Sequence, residues 1–157
     1  MTQEEIRAFS YRITQATPTQ LVVILYEMAI KYIDEALDNV NSDNPGEFRA
    51  SLKSAGQVID ELNHSLDMQY GVSLYLMRIY VFMKEVFFKA SVRPDITELS
   101  RCRKILADLR KSFEQIQSED KRGPVMSNTQ QVYAGLTYGK GTLNESFGPE
   151  SNRGFRV

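Results

Sequence analysis

The chain has 157 residues, a length that suits one domain with a single core able to fold without disulfides or metals. Its 20 acidic and 19 basic side chains leave a net charge of -1, which gives no electrostatic reason to expect nucleic acid. One His and one Cys make a nearly empty catalytic inventory, the unpaired Cys fits a reducing compartment, and the longest apolar run, Leu21 to Tyr26, is far too short to span a membrane.

From the N-terminus, Met1 to Arg12 holds two acids and no apolar run, so it does not read as a signal peptide, and the expected location is cytoplasmic. Ile6, Phe9, Tyr11 and Ile13 form a short apolar segment within residues 1–16. Thr17-Pro18-Thr19-Gln20 then writes a helix start, with a hydroxyl at the N-cap and Pro at the first helical position, where its missing N–H costs nothing. Leu21, Leu25, Met28, Tyr32 and Ala36 recur on one stripe of that helix. Asn44-Pro45-Gly46-Glu47 repeats the start signal, followed by Phe48, Leu52, Ala55, Ile59, Leu62 and Leu66 at alternating steps of four and three.

Ser65 to Gly71 reads as a turn, and the next helix carries Val72, Tyr75, Ile79, Phe82 and Val86 on its expected seam. Arg93-Pro94-Asp95 ends it, with Asp95 as cap of a last helix whose stripe is Leu99, Cys102, Leu106, Leu109, Phe113 and Ile116. No stretch alternates at period two for long enough to form a sheet. Long helices joined by short loops make neighbours antiparallel, so residues 17–117 are expected to be an all-α, up-down-up-down four-helix bundle. Residues 118–157 hold six of the nine glycines and two of the five prolines without helical period, and are expected to be a flexible, largely disordered tail. Val132, Tyr133, Leu136, Tyr138, Leu143, Phe147 and Phe155 space anchors along it, so a docking motif is the alternative reading.

The side chains of this frame offer little for chemistry. Cys102 lies on an inward stripe and reads as a small hydrophobe, not a nucleophile. Glu61-Leu62-Asn63-His64 has the Glu-x-x-His spacing of di-iron bundles, but those sites need a second such pair and the chain has no second His. A phosphorelay bundle needs only one exposed His and stays an alternative function for His64, although His64 stands at a helix end. The basic residues Arg101, Arg103, Lys104, Arg110 and Lys111 are interleaved with Glu98, Asp108 and Glu114, as on an ordinary solvated face. No metal site, cofactor or catalytic set is expected.

The unusual feature is an apolar surplus on two helices. Beyond the seams, the first bundle helix shows Val22, Val23, Tyr26, Ala29, Ile30, Ile33 and Leu37, and the third shows Leu74, Leu76, Met77, Tyr80, Val81, Met83, Phe87 and Phe88. A helix hydrophobic on most of its circumference either sits at a centre or faces a partner. Binding through apolar surface is the expected mode, with a structural helical oligomer whose surplus is a self-interface as a further alternative.

Ala16-Thr17-Pro18 followed by Leu21, Leu25-Tyr26 and Ala29, then Leu66-Asp67 and Gly71, then Tyr80 with Met83 and Ala90, resembles the flagellar export chaperones of the FliS family over roughly residues 6 to 117. Phe113 stands where that family often has Trp. The resemblance implies a non-enzymatic cytoplasmic helical bundle that binds the disordered C-terminal segment of flagellin, prevents premature polymerisation and hands it to an export-gate component of the flagellar secretion apparatus. The client groove is placed at Val22, Tyr26, Ala29, Ile30, Ile33, Leu74, Met77, Tyr80 and Val81, with helix-in-groove docking as the mode. Family resemblance further implies that Ile6, Phe9 and Tyr11 form a cap over part of that groove when no client is bound. A homodimer is an additional partner reading; nucleic acid and membrane insertion are not expected.

Overall fold

The computed structural model describes residues 1–126; the expected tail anchors from Val132 to Phe155 lie outside these described residues. Among them there are five helices and no strand: α1 Gln3–Gln15, α2 Pro18–Asn39, α3 Pro45–His64, α4 Gly71–Val92 and α5 Ile96–Ile116, followed by a 3-10 turn at Gln117–Glu119. Helices α2 to α5 have 22, 20, 22 and 21 residues, so each is about 30–33 Å long at about 1.5 Å per residue. The fifth helix is α1, where the sequence reading placed only a short apolar segment. Its start is a capping box: Thr2 Oγ1 accepts from Glu5 N at 3.2 Å, and the Glu5 carboxylate accepts from Thr2 N at 3.2 Å.

The caps of α3 and α5 follow the sequence. Asn44 accepts from Gly46 N at 3.2 Å, with Pro45 opening α3. Asp95 accepts from Glu98 N at 3.0 Å, satisfying one of the orphan donors of α5. Between α3 and α4, Ser73 Oγ donates to the Asp67 carbonyl at 2.6 Å and Gln69 N donates to Asp67 Oδ1 at 3.0 Å, so the turn carries its own hydrogen bonds.

The chain forms two compact units, one made of Met1–Phe9 with Thr19–Glu119, the other holding residues 10–18 and 120–126 of the described chain. In the second, Val125 N donates to the Ala16 carbonyl at 2.9 Å, and Arg122 pairs with Asp120 at 2.7 Å. The first contains the core, in which Tyr26, Ala29, Ile33, Ala55, Ile59, Leu62, Met83, Leu99, Cys102 and Leu106 are essentially inaccessible. The expected stripes of α3 and α5 supply their share of it, apart from the partly buried Leu66, Leu109 and Phe113 and the exposed Ile116. On α4 the expected seam needs correcting. Val72 and Tyr75 are exposed, and the inward line is Ser73, Leu76, Tyr80, Met83, Phe87 and Ala90.

Ion pairs join the helices. Asp34 of α2 holds Arg103 of α5, and Glu27 lies 3.5 Å from Arg110. Asp60 of α3 holds Lys84 of α4 at 2.5 Å, while Arg49 Nε donates to the Ser91 carbonyl at 3.2 Å. Gly56 leaves the α3 surface low where the Lys84 stem crosses it, since a Cβ there would lie 3.6 Å from Lys84 Cε.

Candidate functional site

The residues expected to line one groove are divided by the fold among different surroundings. Tyr26, Ala29, Ile33 and Tyr80 are in the core, and of these only Tyr80 keeps a trace of accessible surface, 2%. The two tyrosines explain themselves chemically: their hydroxyls meet at 2.6 Å, so each buried phenol has a partner. Burial pushes both phenols above their ordinary value of 10.0 and keeps them neutral. Phe113 closes the same region, edge-on to Tyr26 with ring centroids 5.7 Å apart. Val22 and Ile30 are half-buried against the core, as is Met77 in accessibility, whereas Leu74 and Val81 are exposed.

Three of the concave surfaces on the first unit bear on the expected groove or on α1. An end cleft of about 180 Å³ is lined by Val22, Leu66, Val72, Leu76, Tyr80 and Phe113 and thus keeps two of the expected groove residues together. A groove of about 430 Å³ runs between α3 and α4 along Ile59, Asn63, Val81, Lys84 and Phe88. Asn63 Oδ1, at its wall, is buried without a hydrogen-bond partner.

The third surface is the seat of α1. Met1 and Ile6 line a cleft of about 410 Å³ with Tyr32, Glu35, Ala50 and Ser54. Glu5 pairs with Lys31 at 2.6 Å, and the Met1 amine pairs with Glu35. Ile24, Met28, Lys31 and Glu35 share one face of α2 by their spacing, with Tyr32 beside them. The hydrogen bond from Lys31, with those from Thr2, holds the Glu5 carboxyl far below its ordinary 4.5, at about 2. Yet no residue of α1 is buried: Ile6 keeps 43% of its surface exposed and Tyr11 keeps 70%. Sequence reasoning missed the helicity of this segment, although Ile6, Phe9 and Ile13 at steps of three and four behind Thr2-x-x-Glu5 were a readable signal.

Nothing in this arrangement is built for covalent chemistry. Cys102 is buried and its thiol is pushed up to about 12 by desolvation, so it stays protonated. His64 is the exposed last residue of α3. No group of three or more metal-ligating side chains occurs among the described residues, and no described helix is long and apolar enough to cross a membrane.

The class these features define is an all-helical protein that leaves apolar side chains exposed on its helices. Residues 2–120 match the model of the family described as flagellar protein FliS. The chain is also similar to the flagellar secretion chaperone FliS of Bacillus subtilis (strain 168), with 28% identity over 110 residues that cover 69% of this chain and 83% of the relative. The chain belongs to the FliS family, a family of flagellar secretion chaperones and not of enzymes.

Proposed function

We propose that this protein is a cytoplasmic chaperone that binds the disordered C-terminal region of flagellin, prevents its premature polymerisation and delivers it to an export-gate component of the flagellar secretion apparatus. Family membership supports the chaperone role. The observation that carries the binding mechanism is that the start of α1 reaches α2 through the Glu5–Lys31 and Met1–Glu35 pairs while no residue of α1 is buried. Exposed ion pairs contribute little to stability, so α1 is a cover that a better apolar ligand displaces. Once it leaves, Ile24, Met28 and Tyr32 offer an apolar strip to an amphipathic client segment. A tether this short keeps the cover at an effective concentration on the order of mM, enough to shield the strip and still yield to a tighter client.

The reading keeps α2 to α5 as an antiparallel up-down-up-down bundle. It is supported by the reversed order of the paired residues, Glu27 and Asp34 against Arg110 and Arg103, and Arg49 and Asp60 against Ser91 and Lys84. The client is ordered as it binds, so part of the burial free energy offsets lost chain entropy. Covering about 1,000 Å² of apolar surface yields about 25 kcal/mol gross, before association and ordering costs are subtracted. Handover at the export gate then suffices for release.

The test is calorimetry with a flagellin C-terminal peptide on the full chain and on a chain lacking residues 1–15. The shortened chain should bind at least as tightly, and Met28→Asp within it should weaken binding at least about tenfold, or 1.4 kcal/mol. Loss of affinity on truncation would make α1 part of the client site and would refute its role as a cover.

A further inference from the structure

Between the last turn of α1 and the first turn of α2 the chain has only Ala16 and Thr17. Pro18 brings no N–H, and its ring pushes the residue before it out of the helical region, so the two helices do not run on as one. Any swing of α1 turns on the dihedrals of these two residues. A helix with no buried residue of its own would be expected to hang on a solvated hinge. Ala16 is instead 2% exposed, and both of its backbone groups are held. Its N–H donates to the Ile13 carbonyl at 3.3 Å, and its carbonyl accepts from Val125 N, beyond the end of α5, at 2.9 Å. The segment that reaches Ala16 carries its own lock. The Asp120 side chain, only 4% exposed, accepts from Arg122 three times, from the backbone N at 3.1 Å, Nε at 2.7 Å and Nη2 at 2.9 Å. This two-pronged pair fixes the turn, and Pro124, with its fixed φ, leads from it to the donor at Val125. A segment held in shape beforehand loses little freedom when it binds.

We propose that residues 120–126 are a strap that locks the α1–α2 junction and thereby governs how readily α1 leaves its seat. This rests on the reading of α1 as a cover over the client strip and adds what regulates that cover. To swing off α2, α1 must turn the dihedrals at Ala16 and Thr17, which carries the Ala16 carbonyl away from Val125. A buried carbonyl that loses its donor has to find water or stay unpaired, and either is costly. The closed and open arrangements therefore differ by the strap bond, which favours the closed one by about two- to tenfold. Because α1 is one continuous helix from Gln3 to Gln15, a constraint on its last turn bears on its whole length. The strap makes the cover slower to yield than the exposed pairs at Glu5 and Met1 would alone.

Amide hydrogen exchange of the full chain, without client, tests it. Val125→Pro removes the donor, and the amides of α1 from Ile6 to Gln15 should then exchange about two- to tenfold faster, with those of α3 and α5 unchanged. Val125→Ala keeps the donor and should stay within about twofold of the parent. Unchanged exchange of α1 in a folded Val125→Pro chain, or Val125→Ala as fast as Val125→Pro, overturns the proposal. Where Val125→Pro loses helix in α3 and α5, Arg122→Ala decides alone, since it opens the lock and keeps every backbone N–H. Faster exchange confined to α1 then supports the strap, and unchanged exchange overturns it. The chain lacking residues 1–15 has no α1 for a strap to hold, so its flagellin calorimetry reports on the cover reading whatever the exchange shows. A strap that fails leaves that binding result untouched, and a cover that fails leaves the exchange of α1 readable.

Discussion

Tyr26 and Tyr80 illustrate how a buried polar pair constrains single substitutions. Their hydroxyls satisfy each other at 2.6 Å inside the core, so Tyr26→Phe should cost about 1–3 kcal/mol in urea unfolding by stranding one buried phenol. The double change to Phe at both positions should recover much of that loss, because no unmet group remains. Cys102 makes a second residue-level prediction. With its thiol pushed up to about 12 by burial, it should resist a thiol reagent at pH 8 in the folded chain and react promptly after denaturation. The inertness of Cys102 was legible in the sequence because its stripe was clear. The hydroxyl contact was not, since pairing residues fifty-four apart in the chain needs the tertiary fold.

Among the elements, α1 and α4 are where sequence and structure part. The caps at Asn44 and Asp95 and the stripes of α3 and α5 were readable because polar and apolar residues alternate with a clear helical phase on those helices. On α4 Val72, Leu74, Tyr75, Val81 and Phe88 are apolar on the outer faces too, so periodicity gave a helix without saying which side turned inward. The groove expected from Tyr26, Ala29, Ile33 and Tyr80 failed as a surface for the same reason, the apolar surplus being spent partly on the core. The seat of α1 predicts a pH signature. Its Glu5 has its folded-state pKa lowered, so the contact with Lys31 is fully present above pH 4.5 and is lost as pH falls toward about 2. A carboxyl NMR titration should give Glu5 a midpoint near that lower value, and Lys31→Ala should move the midpoint up toward 4.5. Within α3, Gly56→Ala should stabilise by about 0.5–1 kcal/mol, since the new methyl would meet only the flexible Lys84 stem at 3.6 Å.

For the whole molecule, fold class and role were legible well before any side-chain geometry. Four long helices with a nearly empty catalytic inventory pointed away from an enzyme, and the FliS family is one of chaperones. The division of the apolar surplus into core, α1 seat and outer α4 face was not legible, because one-dimensional periodicity cannot tell a residue buried by its own fold from one awaiting a partner. Client binding is open to calorimetry of the full chain at two temperatures with the C-terminal segment of the flagellin from the same source. The expected result is a saturable one-to-one complex whose enthalpy becomes more negative on warming, the heat-capacity sign of buried apolar surface. An absence of binding at about 100 μM peptide, a free energy weaker than about 5.5 kcal/mol, by a chain that remains helical would contradict it.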